Sequence, residues 1–221
     1  MVAVVAGAMA IVLLHPDLQQ PIVDSSKTSN VQKGGALVAL DELAVKGRAP
    51  KTGYSRTQFG DGWASVQGCD TRNIILHRDM TNTVTNEKCY IIKGTLNDPY
   101  TGKTIEFQRG ATSSQTVQID HVVALSDAWQ KGAQQLSAGQ RAQLANDPLE
   151  LLAVDGPANQ QKSDGDAATW LPANKIFRCQ YVARQIAVKK KYSLWVTNAE
   201  KEAIARVLGV CPAQTLPSSV E

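Results

Sequence analysis

The chain is poor in the residues on which most hydrolytic chemistries depend. It contains three histidines, at positions 15, 77 and 121, so a histidine-dependent reaction has few places to sit. None of its four cysteines stands in a CxxC pair, and no histidine lies at zinc-finger spacing from one, which argues against a structural zinc site. Ser126 and Ser137 lie near His121 in sequence, but no nucleophile-elbow pattern supports a serine hydrolase. No internal repeat is visible. The longest apolar run, "MVAVVAGAMAIVLL" at the N-terminus, is too short for an ordinary membrane span. It fits the apolar part of a secretory signal, although a cationic start and a clean cleavage site are both missing. A buried N-terminal helix is the competing reading of that run.

What is present describes a globular chain. Of 221 residues, 43% are hydrophobic and 19% charged, which excludes wholesale disorder. A formal charge of +3 and a pI near 8.6 suit a polyanionic partner without requiring one. The expected organisation is an export segment or N-terminal anchor over 1–15, a polar spacer over 16–35, one folded domain over 36–212 and a tail over 213–221. Cys69, Cys89, Cys179 and Cys211 form an even set downstream of a candidate signal, which favours two disulfides in an exported protein. Of the three pairings, the sequence-near ones, Cys69–Cys89 and Cys179–Cys211, are favoured. Four unpaired buried thiols are the alternative.

Periodicity and turn residues predict mixed secondary structure. Leucine spacing in "ALVALDELAVKG" (36–47) suggests a helix closed by Gly47, and "CDTRNIILHRDM" (69–80) a helix capped by Asp70 or Thr71. The β-prone runs 88–96 and 103–110 flank the turn sequence "NDPYTG" and read as a hairpin. "VQIDHVV" follows as a further strand, then one or two short helices over 125–147, and another strand over 149–154. A polar helix starts at Pro157. Spacing predicts a helix through "NKIFRCQYVARQIAVKKKYSLW" (174–195), and "TNAE" supplies a capping box for a last helix ending near Gly209. The fold class expected is α+β.

The stretch "VQIDHVVALSDAW" (117–129) carries an acid and an imidazole at the end of an apolar strand. Taken with "CDTRN", "GTLNDPYTGKTIEF", "ANDPLELLAVDGPANQQKSD" and "WLPAN", it resembles the HNH-like (ββα-metal) nucleases. The resemblance is to the branch of the GmrSD restriction endonuclease C-terminal domains and covers roughly residues 50–195. It implies a ββα-metal core with an added hairpin and flanking helices, disulfide-bonded.

Phosphodiester hydrolysis needs a deprotonated water, neutralised charge in the transition state and help for the departing oxygen. Histidine is the side chain best suited to take the water's proton near neutral pH, which makes His121 the candidate general base. The resemblance implies that Asp120 and the amide oxygen of Asn159 hold a divalent metal. Mg²⁺ is expected, with Mn²⁺ or Zn²⁺ as alternatives, because a hard cation that keeps its waters needs few protein oxygens. The family pattern commonly has an asparagine in its middle position, where this chain has Glu150. A carboxylate there could orient the imidazole, and Asn146 competes for that role.

Lys162, Arg72 and Arg78 are candidates to contact substrate phosphates, with ion pairing to Asp79 as the competing use of the two arginines. Residues 172–198 hold six Lys or Arg and no acid, a charge pattern that would suit a nucleic-acid backbone. Tyr181, Tyr192 and Trp195 interleave with it and could stack on bases or lie in the core. The function expected is a secreted, metal-dependent endonuclease acting on DNA, and on RNA as a second substrate, with little sequence preference. The alternatives are a non-catalytic extracellular binding protein on the same scaffold, or a hydrolase of another phosphodiester.

Overall fold

The computed structural model describes residues 1–2, 35–111 and 113–217. The expectations for residues 3–34, which cover most of the export segment and spacer, and for 218–221 of the tail fall outside the described residues. The chain divides into a unit over Met1–Asn30 and a larger one over Val31–Glu221. Among the described residues no helix is long and apolar enough to cross a membrane.

The architecture is α+β. Helix α1 (Gly35–Glu42) is followed by two short strands, β1 (Ser65–Val66) and β2 (Cys69–Asp70), and by helix α2 (Thr71–Asp79). Strands β3 (Met80–Thr85), β4 (Ile91–Asn97) and β5 (Thr104–Gln108) form an antiparallel sheet in that order. Strand β6 (Val117–His121) pairs antiparallel with β7 (Leu151–Asp155), and between them run α3 (Leu125–Gln130) and α4 (Ala138–Asn146). Helix α5 (Gly156–Lys162) follows β7 directly, and α6 (Arg178–Lys191) and α7 (Asn198–Leu208) complete the fold.

The β6–β7 ribbon lies between two apolar clusters, which explains why a two-stranded sheet is so apolar. Side chains alternate across a strand. Val117, Ile119, Leu151 and Ala153 join Ile75, Leu76, Ile91, Leu96 and Phe107 on one face. Leu152 and Val154 join the helical core on the other. That second core includes Leu40, Trp129, Tyr181, Ile186 and Ile204, all buried.

Several expected elements have different bounds. The first helix ends at Glu42 instead of Gly47, because Val45 leaves it to form a parallel bridge with Val196. The strand β3 was not expected; its exposed Thr and Asn residues dilute the alternating pattern. The "TNAE" capping box is half formed. Thr197 accepts from Glu200 N at 3.2 Å, but the Glu200 carboxylate is buried against Lys131 at 2.7 Å and Lys189 at 3.0 Å. It belongs to an ion cluster in which Lys131 also meets Asp127 and Asp166, and Arg48 meets the same two acids.

Both favoured disulfides are present, Cys69–Cys89 and Cys179–Cys211. The second ties the start of α6 to the chain just beyond α7, closing a separation of 32 residues. Cross-linking a loop of that order restricts the unfolded chain, and typically stabilises by about 2–4 kcal/mol. Replacing Cys179 and Cys211 together by serine should lower the urea midpoint accordingly. An unchanged midpoint would assign the bridge no stabilising role.

Candidate active site

The site is built where β6 ends. In the β6–β7 register, Asp120 faces Leu152 and His121 faces Leu151. Their side chains leave opposite sides of the ribbon, as strand geometry requires. Helix α5 is brought against the ribbon by its own start: Asp155 accepts from Ala158 N at 2.8 Å, and Pro157 occupies the first turn. Gly156 is needed for this approach, because a Cβ there would lie 2.1 Å from the Gln115 carbonyl oxygen.

Asp120 is buried, and both of its carboxylate oxygens have partners. The Lys162 ammonium donates to Oδ1 at 2.9 Å, and the Tyr100 hydroxyl donates to Oδ2. Tyr100 comes from the "NDPYTG" turn, which Asp98 closes by accepting from Thr101 N at 2.7 Å. Burial raises the Asp120 carboxyl above its ordinary range, and Lys162 and Tyr100 pull it back toward the charged form.

His121 is also buried, with one edge engaged. Its Nε2 lies 3.0 Å from the Ala145 carbonyl oxygen. A carbonyl can only accept, so Nε2 carries the proton and Nδ1 keeps the lone pair. Among the described residues nothing hydrogen-bonds Nδ1. The Trp63 ring lies parallel to the imidazole, with centroids 5.7 Å apart and planes within 6°.

Two concavities meet at this histidine. The larger, about 630 Å³, is lined by Asp120, His121, Asn159, Gln118, Arg72 and Arg56, with Lys51 and Asp164 also contributing. The smaller, about 330 Å³, is lined by Phe59, Gly60, Trp63, Leu125, Ala145 and again Arg56 and His121. Asn159 donates through Nδ2 to Gln118 Oε1 at 2.9 Å, and its amide oxygen has no partner among the described residues.

Asp120, His121, Asn159 and Arg72 therefore share one cleft, whereas several other expected residues are engaged elsewhere. Lys162 is fully buried, donating to Asp120 and, at 2.7 Å, to the His121 carbonyl; its ammonium holds the carboxylate and cannot reach a phosphate in the cleft. Arg78 forks onto Asp79 at 2.6 and 2.9 Å and also reaches the Leu151 carbonyl, so it braces α2 against β7. The Glu150 carboxylate does not orient the imidazole. It accepts from Val123 N at 3.2 Å through both oxygens, while its backbone oxygen accepts from Val122 N. Asn146 is bonded to Ala64 N and to the Ala142 carbonyl. The group that orients His121 is the neighbouring backbone carbonyl of Ala145, which no side-chain pattern could disclose.

The basic run over 172–198 is also largely engaged. Lys189 lies in the buried ion cluster, Lys190 meets Glu42, Lys191 meets Asp147, and Arg184 donates to the Leu149 carbonyl. Tyr181 and Trp195 are buried, and the Tyr192 hydroxyl donates to Asp147. The cations that do line the cleft are Arg56, Arg72 and Lys51. Arg56, Trp63, Tyr100 and Gln118 were not anticipated. The signal available for the first two was the Gly- and aromatic-bearing loop over 51–63, and for Tyr100 an aromatic inside a polar turn.

The donor set fits a hydrated hard cation. Asp120 and the open Asn159 amide offer oxygens to one cleft, and a carboxylate can accept beyond two hydrogen bonds. The Lys162 ammonium beside Asp120 weakens that attraction, so binding is expected to be loose. Among the described residues no group of three or more His, Cys, Asp and Glu could form a closed metal cage.

Burial, with the Arg56 charge next in size, lowers His121 from 6.5 to about 3. The unfolded chain therefore takes up the proton first, and stability falls as pH drops from about 6.5 toward 3. Glu150 and Asp120, whose carboxyls burial raises, act in the opposite sense, losing stability as pH rises through their shifted values. Comparing urea unfolding of the native chain and His121→Gln at pH 7 and pH 5 isolates the histidine. The native chain should lose on the order of 2 kcal/mol more than the variant. Equal losses would mean that the ring is not held neutral.

The model of the GmrSD restriction endonucleases, C-terminal domain, matches residues 70–207. An uncharacterized secreted protein of Arthroderma benhamiae is 38% identical over 175 residues, covering 78% of this chain and 82% of that relative. No solved structure matches.

Proposed function

Since the chain belongs to the family of GmrSD restriction endonuclease C-terminal domains, a nuclease-related family, we propose that it is an exported, metal-dependent endonuclease of HNH-like type. It hydrolyses DNA phosphodiester bonds with little sequence preference, with RNA as a second substrate. The observation that carries this reading is the His121 imidazole, oriented by the Ala145 carbonyl, with its Nδ1 lone pair unengaged beside a cleft that also holds Asp120 and Asn159. The strand–strand–helix order β6, β7, α5 supports a ββα-metal core. Two disulfides and the secreted relative support export.

In this mechanism Nδ1 of His121 accepts the proton of the attacking water. The Ala145 carbonyl accepts from Nε2–H and stabilises the imidazolium that forms, holding the ring in one tautomer throughout. Asp120 and Asn159 would hold the cation, which when bound polarises the phosphate and eases departure of the leaving oxygen. Tyr100 and Lys162 keep the Asp120 carboxylate aimed and charged. Arg72 lines the same wall and has guanidinium donors beyond those given by Nη2 to the Val117 carbonyl at 3.1 Å and the Ser114 carbonyl at 3.5 Å.

The test is cleavage of supercoiled plasmid and of single-stranded RNA by the oxidised protein, with Mg²⁺, Mn²⁺, Zn²⁺ or chelator. Nicking that needs a metal and stops with chelator is expected. Binding without cleavage under every metal would overturn the enzymatic reading in favour of a binding protein. Cleavage that persists in chelator would remove the roles given to Asp120 and Asn159.

A further inference from the structure

Arg56 lies ahead of the family match at 70–207, in the short 3-10 turn Arg56–Phe59. It is exposed, and among the described residues its guanidinium makes no ion pair or hydrogen bond. This is unusual within the protein, because Arg72, Arg78, Arg109, Arg141 and Arg184 all donate to backbone carbonyls. Arg56 also occupies a particular place. The two concavities share Arg56, Trp63, His121 and Leu125, so they form one groove with Arg56 and His121 at its junction.

The two lobes differ in chemistry. The larger has Arg72, Lys51, Asp120 and Asn159 in its walls, and Lys51 is part-neutralised by Asp164 at 3.3 Å. The smaller is walled by Phe59, Trp63, Leu125 and Ala145, with Asp61 its one acid among the described residues. A charged backbone group suits the first, and a nucleoside suits the second. A strand passing from one to the other must place a phosphate between them, beside the unengaged lone pair of His121. A guanidinium there presents a planar fork matched to two phosphate oxygens.

We infer that Arg56 is the phosphate-gripping residue of this groove, seating the phosphodiester at the junction of the two lobes; the inference rests on the nuclease reading above. Trp63, on the same loop and parallel to the imidazole, holds the base beneath that phosphate. The segment 51–63, outside the family match, thus completes a site whose acid, base and amide come from inside it.

The test uses the full chain with His121→Ala, so that substrate is bound but not cut. Affinity for a short fluorescein-labelled single-stranded DNA is measured across a KCl series in chelator, with and without Arg56→Ala or Arg56→Lys. Lys175→Ala, which removes an exposed charge lining neither lobe, serves as the control. Arg56→Ala should weaken binding about tenfold and reduce the slope of log affinity against log salt by about one. Arg56→Lys should recover part of the affinity but not all, and Lys175→Ala should leave both quantities close to the parent. Melting curves verify that the exposed substitutions leave the fold intact. Unchanged affinity and slope in Arg56→Ala, or losses equal to those of Lys175→Ala, would overturn the role of Arg56 while leaving the nuclease reading standing. Absence of binding by the His121→Ala parent itself, in chelator and with Mg²⁺ alike, would overturn the groove as the seat of the substrate, while the plasmid assay on the native chain decides the nuclease reading separately.

Discussion

His121→Ala is expected to lower the rate of metal-dependent cleavage by about 10²–10⁴-fold, the usual cost of losing a general base, with little effect on substrate affinity. The imidazole is held by one hydrogen bond, from Nε2 to the Ala145 carbonyl, and lies parallel to Trp63. Its removal should therefore leave the backbone of β6 undisturbed. His121→Gln keeps a polar side chain in the site but cannot accept a proton near neutral pH, and it should be as inactive as alanine. The depressed affinity of His121 for protons has a kinetic counterpart. The free protein keeps the ring neutral well below 6.5, so the acid limb of kcat/KM should fall below that value. Plasmid nicking timed across pH for the native chain, with both variants as inactive controls, checks this. Cleavage retained by His121→Ala would remove the base from its assigned role.

Lys162→Met is expected to destabilise the protein by about 3–5 kcal/mol, because it leaves the Asp120 carboxylate buried without its cation. The ammonium is fully buried and donates to Asp120 Oδ1 at 2.9 Å and to the His121 carbonyl at 2.7 Å. It thus clips α5 to the end of β6. Among the described residues Tyr100 would be left as the only side chain bonded to Asp120, and the carboxyl would move further toward the neutral form, since the coulombic effect of Lys162 is what chiefly opposes the burial that raises it. Chemical unfolding at neutral pH measures the loss. The double variant Lys162→Met with Asp120→Asn should recover much of it, because no unpaired charge then remains. A single variant as stable as the native chain would show that the pair is not what anchors the helix. Activity of the single variant should fall as well, through misplacement of Asp120 and Asn159.

Lys162 was a candidate phosphate contact, but its ammonium is held by the Asp120 carboxylate and the His121 carbonyl, which keeps it buried at the end of α5. Glu150 stands where an orienting residue was expected. Its carboxylate is instead directed at Val123 N, so it fixes the chain just after His121 and does not touch the ring. Both residues act on the site by holding backbone and carboxylate in place.

Sequence alone indicated the α+β class and the order strand, strand, helix around the candidate site, favoured the two disulfide pairings among three, and picked out Asp120, His121 and Asn159, which line one cleft. Each of these follows from local signals, namely apolar alternation, turn residues, an even cysteine count and a motif whose members keep their order. Only the tertiary structure decided which cations face the cleft and what orients the His121 ring. Six basic residues over 172–198 looked like a phosphate surface, yet an acid-free stretch of chain is not an acid-free neighbourhood. Glu42, Asp147 and Glu200 arrive from distant segments to pair with three of them. The His121 ring is oriented by a backbone carbonyl, an atom every residue carries, so no residue type could mark it. Arg56 and Trp63 reach His121 because the loop over 51–63 folds across the end of β6, a contact between segments nearly sixty residues apart that no local pattern encodes.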